Sequence, residues 1–201
     1  MASEQVPAER TSWRQTQALA LKRAIQEAAL RLFSEQGYAA TTVGMIADEV
    51  GIAERTCYRH FPTKPDLVLW DGADYDLLAH FRSRRESGGV VAAFREALHA
   101  GFATLTAEQR ELEQRRTELI HAVPEVRAAH LEHFVSGARD FTEAVAERAG
   151  RTPDDPEVVG ITGAILGIMM IAELGPSTSG ADRFTTIDDA LARLQHGFDT
   201  I

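Results

Sequence analysis

Cysteine is nearly missing from this chain: Cys57 is the one thiol in 201 residues. A single thiol cannot close a disulfide within the chain, so the fold must rest on packing, and a reducing cytoplasm is the expected location. No basic segment followed by an apolar stretch opens the sequence, so no secretory signal peptide is expected. There is no phosphate-binding loop, nucleophile elbow or paired-carboxylate motif, and no cofactor is expected. An enzyme reading would have only generic acids and histidines behind it. His121, His130, Glu132 and His133 lie close together, but neither H-E-x-x-H nor cysteine-rich spacing accompanies them; packed or solvated histidines are the better reading. There is no internal repeat or low-complexity run. The longest apolar stretch, residues 158–174 (VVGITGAILGIMMIAEL), is shorter than the about twenty residues a membrane span needs, and it holds Glu173. It reads instead as a helix buried on most sides.

Positive charge is also scarce: 21 Lys and Arg stand against 30 Asp and Glu, a net charge of −9. The deficit is uneven. Residues 1–65 carry eight basic and seven acidic side chains, and the remainder thirteen and twenty-three. Both lysines, Lys22 and Lys64, fall in the first part. A nearly neutral module can hold a polyanion only through focused contacts, since long-range attraction is weak and the distal acidity repels. The balance permits nucleic-acid binding without arguing for it. An apolar share of 44% is ample for a core, and the length allows one medium domain or two small ones.

Against these absences stands one dense stretch, residues 41–61 (TTVGMIADEVGIAERTCYRHF). Val43, Ile46, Ala47 and Val50 recur with the period of one buried helix face. Thr42 precedes them where a hydroxyl caps the first turn, and Gly51 follows where a left-handed residue ends a helix. A second short helix is expected from about residue 54 to 60. Helix, glycine turn and helix within about twenty residues is the layout of a helix-turn-helix, whose second helix enters the DNA major groove. Ile52, Cys57 and Phe61 supply that helix's inward side. Glu54, Arg55 and Arg59 are candidate base readers, and Thr42, Thr56, Tyr58, His60 and Lys64 are candidate phosphate contacts. Short solvated helices carry similar residues. Cys57 reads as a small buried residue in preference to a redox switch.

The order of residues here resembles the TetR family of bacterial transcription regulators. The matching run is Gly51-Ile52-Ala53, then Thr56-Cys57-Tyr58-Arg59-His60-Phe61-Pro62-Thr63-Lys64-Pro65-Asp66-Leu67. Upstream, Ala28-Ala29-Leu30-Arg31-Leu32-Phe33-Ser34-Glu35-Gln36-Gly37-Tyr38 also fits. The resemblance covers about the first seventy residues. It departs at Ala53, where the pattern has a capping serine, and at Cys57, where it has a larger aliphatic residue. Losing the cap costs about 1 kcal/mol of local helix stability. The resemblance implies an all-α protein with a three-helix DNA-binding head and a larger helical domain for ligand binding and dimerisation. It also implies a ligand-responsive repressor that acts as a homodimer on double-stranded operator DNA. Tyr58, His60 and Lys64 would then be phosphate contacts. An activator or co-repressor-dependent regulator of the same family, or an all-α enzyme or binding module with an incidental helix-turn-helix, are the alternatives.

Along the chain, residues 1–15 are expected to be a mobile arm, residues 16–65 the DNA-binding head and residues 66–201 the ligand-binding and dimerisation domain. The first helix is expected from about residue 16 to Gly37, and a long fourth helix from about residue 66 to 84. Thr106 and Gln109 form a capping-box pattern, and Pro124 suits the first turn of a helix running to Gly150. Gly160, Gly163 and Gly167 leave one stripe of the apolar stretch bare. Ile187, Leu191, Leu194 and Phe198 mark a stripe on the last helix. These stripes fit ordinary intrachain core nearly as well as a dimer interface; the resemblance favours the interface. Trp70, Tyr75, Phe81, Phe94, Phe102, Phe134, Phe141, Met169 and Met170 could line an apolar pocket or simply fill the core. Of these, Trp70, Phe102, Phe134, Phe141 and Met169 are the candidate pocket residues. Arg115, Arg116 and Arg127 lie in a stretch similar to some acyl-CoA-responsive members. There they would meet phosphates, or pair with neighbouring glutamates. The implied effector is a small molecule, hydrophobic or acyl-CoA-like.

Overall fold

The computed structural model describes residues 7–70, 77–83, 88–174 and 180–197. It is helical throughout, with no strand among the described residues, and divides into two compact units, residues 1–73 and 74–201.

In the first unit α1 (Pro7–Gln36), α2 (Val43–Val50), α3 (Glu54–His60) and the single turn α4 (Asp66–Leu69) enclose one core. α1 starts nine residues before the expected helix, inside the stretch assigned to an arm. Proline is suited to a first helical turn, and no glycine or proline interrupts residues 8–36. Ile25, Ala29 and Leu30 of α1 are fully buried, and Ile46 and Cys57 meet the same core from α2 and α3. Thr41, also fully buried, has its hydroxyl within reach of the Leu32 and Gly37 carbonyls, 3.2 and 3.0 Å away. It thereby satisfies the end of α1.

The expected long fourth helix is not continuous. α4 stops at Leu69, and Trp70 is extended, with φ −66° and ψ 121°. Side chains of α1 hold Trp70 there. The amide of Gln26 donates to its carbonyl, and the Lys22 ammonium lies 4.7 Å from its ring centroid. The Phe61 ring meets it edge-on at 5.9 Å. Trp70 therefore belongs to the first unit, and the division between units falls at 73/74, eight residues after the expected 65/66.

The second unit comprises α5 (Leu77–Ser83), α6 (Val90–Thr104), α7 (Ala107–Ala122), α8 (Pro124–Ala149), α9 (Pro156–Leu174) and α10 (Gly180–His196). The capping box at the start of α7 is formed: the Gln109 amide N–H donates to Thr106 Oγ1 at 3.2 Å, and Thr106 N–H donates to Gln109 Oε1 at 2.8 Å. Phe81, Phe94 and Phe141 form an aromatic triangle at the centre, with centroids 5.1–6.3 Å apart. Val145, Val158, Ile165, Ile187 and Leu191 surround it. Polar links tie the outer helices. Arg95 of α6 grips Asp188 of α10 through Nε at 2.8 Å and Nη2 at 3.1 Å, and His99 reaches the same carboxylate at 2.9 Å. His130 of α8 meets Glu173 of α9 at 3.2 Å. Burial opposes ionisation of Glu173. Its bond to His130 and the charges of His130, Arg183 and Arg116 outweigh that, and its pKa is lowered.

Two expectations about the last helices need correction. The α10 stripe is core: Leu191 is 0% exposed, Ile187 is buried and Leu194 is packed against the same cluster, because α10 lies on α6 and α9. Phe198 lies outside the described residues. The outward side of α10 carries Thr185, Thr186, Asp189 and Arg193. Conversely, α9 is not buried on most sides. Val158, Thr162 and Ile165 face the core, while Val159 is 55% and Ile171 70% exposed. A Cβ added at Gly160, Gly163 or Gly167 would meet no atom within 4 Å. Among the described residues, only α9 is long and apolar enough by composition to cross a membrane.

Candidate nucleic-acid interface

The turn between α2 and α3 is built as its residues require. Thr42 is extended, and its hydroxyl accepts the Met45 N–H at 3.2 Å, capping α2. Gly51 takes φ 74°, a conformation cheapest for glycine, so that its N–H reaches Asp48 O at 3.1 Å and the Ile52 N–H reaches Ala47 O at 2.9 Å. This closure turns the chain sharply into α3. Ala53 at the start of α3 offers no side-chain cap, as its methyl dictates. Anchorage comes instead from Cys57 and Phe61, 0% and 2% exposed. Burial, and then the Glu54 charge, raise the Cys57 pKa, which leaves the thiol protonated and poorly nucleophilic.

With Cys57 inward, the other face of α3 is solvent-exposed. Arg55, Tyr58 and Arg59 are exposed there, Tyr58 by 45%. Neither arginine has a carboxylate within ion-pair distance among the described residues, so both guanidinium groups have donors to spend on a partner. Thr56 and His60 are half-buried at the edges of this face. Burial, then the charges of Arg59 and Lys22, lower the His60 pKa, so its imidazole is neutral at physiological pH. Thr42 is exposed at the start of α2, beside this face.

Two of the expected contacts are placed differently from the arginines. The Lys64 ammonium donates to the Tyr38 carbonyl and lies 4.1 Å from the Tyr38 ring centroid, so it braces the end of α1. Glu54 turns back over α2: a Cβ added at Gly44 would stand 3.5 Å from Glu54 Oε2 and 3.7 Å from Thr42 Oγ1. The carboxylate thus lies against α2, within ordinary contact distance of residue 44, on the side of α3 that meets α2. The head contacts that sequence reasoning missed are Gln26, Lys22 and Gly44. For the last, a glycine within a helical run was itself a signal of close approach.

The expected pocket residues are not gathered in one place. Trp70 belongs to the other unit, Tyr75 is outside the described residues, and Phe141 sits in the closed aromatic triangle with Phe81 and Phe94. Phe102, Phe134, Met169 and Met170 are half-buried. Phe102 stacks on Phe184 at 4.2 Å, with the Arg110 guanidinium 5.4 Å from its centroid. Arg115 pairs with Glu111 at 2.7 Å and Arg116 with Glu113 at 2.5 Å, the glutamate alternative for those residues. Arg127 is exposed. A separate cavity of about 260 Å³ lies between α6, α8 and α9, lined by Val90, Val91, Val145, Ala149, Val158 and Ile161 with Arg151 and Glu157. His133 is exposed, and among the described residues no three His, Cys, Asp or Glu side chains gather as a metal site.

Comparison with known proteins places both units. Residues 25–69 match the model of bacterial regulatory proteins of the tetR family, and residues 89–199 match the MftR C-terminal domain. The chain is 34% identical over 93 residues to the transcriptional regulator AcrR of Shigella flexneri, covering 44% of this chain and 43% of AcrR. It is 26% identical over 153 residues to the transcriptional regulator MftR of Mycobacterium tuberculosis, named for mycofactocin biosynthesis, covering 74% and 75%. The match thus spans less than half the length of the first of these relatives. In fold it is similar to FadR of Thermus thermophilus, a transcriptional repressor solved with lauroyl-CoA. The TM-score is 0.53 at 20% identity, over 90% of this chain and 96% of that one.

Proposed function

The chain belongs to the TetR family of bacterial regulatory proteins, and on that footing we propose that it is a cytoplasmic transcriptional repressor, binding a pseudo-palindromic operator as a homodimer and released by a small-molecule effector. The observation that carries this reading is the face of α3, where Arg55 and Arg59 are exposed and unpaired among the described residues on a helix locked from behind by Cys57 and Phe61. Arginine recognises guanine through two parallel hydrogen bonds to O6 and N7, so these two are the base readers. Thr42, Thr56, Tyr58 and His60 lie on or beside that face and are the phosphate contacts, which fix register without reading sequence; Lys64 would join them by leaving Tyr38.

A dimer would present two such helices about 34 Å apart, one turn of DNA. α9 is the surface that would join the protomers. Its bare glycine stripe permits close approach, and Val159 and Ile171 are apolar side chains left in water by a single protomer. The effector would be hydrophobic, seated in the second unit. An acyl-CoA is the first compound to try, since the similar FadR holds lauroyl-CoA. An effector that prefers a conformation with different head spacing must weaken operator affinity by the same coupling energy.

A gel shift with DNA flanking the chain's own gene tests the reading. Sequence-preferring binding that survives competitor DNA is the expected result, reversed by effector. Binding without sequence preference, or none, would refute it.

A further inference from the structure

Glu54 carries a charge that the head does not neutralise. Its side chain is exposed, and no cationic group lies within ion-pair distance among the described residues. Three other cationic side chains of the first unit are already held within it. Arg31 is held by Glu35 and Glu49, Lys22 by the rings of Phe61 and Trp70, and Lys64 by Tyr38. Arg55 and Arg59 of α3 are without an ion pair among the described residues, and Glu54 is the one carboxylate that this helix carries. That carboxylate and the Thr42 hydroxyl both lie close to residue 44, 3.5 and 3.7 Å from where a Cβ would stand, which puts the two oxygens no more than about 7 Å apart.

We propose that Glu54 is an electrostatic brake on DNA binding: its carboxylate stands where a backbone phosphate approaches Thr42, lowering affinity for all DNA alike while Arg55 and Arg59 choose the sequence. The inference rests on the reading of α3 as the DNA-facing helix and of Thr42 as a phosphate contact. A carboxylate repels a phosphate bound at the nearby Thr42 hydroxyl, and the repulsion is screened as salt rises. Residues 1–65 have a surplus of one basic side chain over acidic ones, so one charge beside the DNA is a large share of the total. The consequence is weak residence on random sequence, and a specificity ratio supported by the arginine contacts.

The test is fluorescence anisotropy with the full chain, using a short random-sequence duplex and the DNA flanking its own gene, across a salt series. Glu54→Gln should tighten binding to both duplexes by a similar factor, about three- to tenfold at low salt. Glu54→Lys should tighten it further, with a steeper dependence of log affinity on log salt. This graded order is one that a purely structural role for the side chain would not produce. Unchanged affinity in Glu54→Gln would overturn the proposal. So would weaker binding confined to the flanking DNA with altered preference at one base pair, the behaviour of a residue accepting a bond from cytosine N4. Wild-type chain that binds neither duplex at low salt would instead overturn the regulator reading on which the proposal depends.

Discussion

Replacing Gly163 by leucine sets two effects of opposite sign against each other, and the structure says which acts where. Within one protomer nothing lies within 4 Å of a Cβ at this position, so the new side chain meets no neighbour. The backbone is helical there, and exchanging glycine for leucine in a helix gains about 0.8 kcal/mol. The protomer alone should therefore be unharmed or slightly more stable. If α9 joins two copies across a two-fold axis, every substitution occurs twice at the contact. Overpacking a close contact costs about 1–3 kcal/mol per site, hence about 2–6 kcal/mol per dimer. Even the lower figure raises the dimer dissociation constant about thirtyfold. Sedimentation from nanomolar to low micromolar concentration reads the assembly, and circular dichroism reads helix content and melting at one fixed concentration. The expected outcome is a folded, largely monomeric variant with reduced operator affinity, because a lone head loses its tethered partner. A variant as fully dimeric as wild type at nanomolar concentration would place the interface elsewhere. A variant that unfolds would mean that Gly163 is packed within the protomer, against the open space seen around it.

Arg55→Ala should weaken operator binding by about 1–3 kcal/mol and relax base preference at one position; an unchanged binding-site profile would remove it from the base readers. Lys64→Ala should weaken binding to all sequences and reduce the salt slope by about one. Lower thermal stability of the head with an unchanged slope would mean that the ammonium stays on Tyr38 in the complex. The Asp188 pKa is lowered, first by its bond to Arg95 and against partial burial, with further help from His99. A carboxylate depressed in the folded state contributes stability above its unfolded pKa of about 3.9 and loses it as pH falls through the folded value. Asp188→Asn should thus cost about 1 kcal/mol at pH 7, a modest figure because solvent screens the pair, and little at a pH below the depressed folded value. An equal loss at both pH values in urea melts would show that the asparagine disturbs packing and that charge is not the cause.

The helix-turn-helix was legible because its determinants are local. Thr42, Gly51 and the spacing of Val43, Ile46 and Ala47 each act within one or two turns, and the structure uses each as its chemistry suggests. The long fourth helix failed for the opposite reason. Nothing near Trp70 in sequence announces that its carbonyl is taken by Gln26, 44 residues earlier, or its ring by Lys22. Such a tertiary hold overrides helical continuation. Glu54 shows the same limit at shorter range. Its helical position assigned it to the outward face, but its carboxylate turns back toward residue 44 of α2.

Periodicity identifies residues that share a face and is silent about what covers that face. Ile187, Leu191 and Leu194 share one on α10, and the protomer itself covers it. On α9 the signal was weaker still, since residues apolar all round define no preferred side. The structure supplies the side: Val158, Thr162 and Ile165 are covered by the protomer, whereas Val159, Gly160, Gly163, Gly167 and Ile171 are left in solvent. A polar outer face on α10 beside an apolar one on α9 argues that α9 carries the larger part of any contact between copies. Substitutions at Thr185 or Asp189 should accordingly disturb assembly less than those at Gly163 or Ile171.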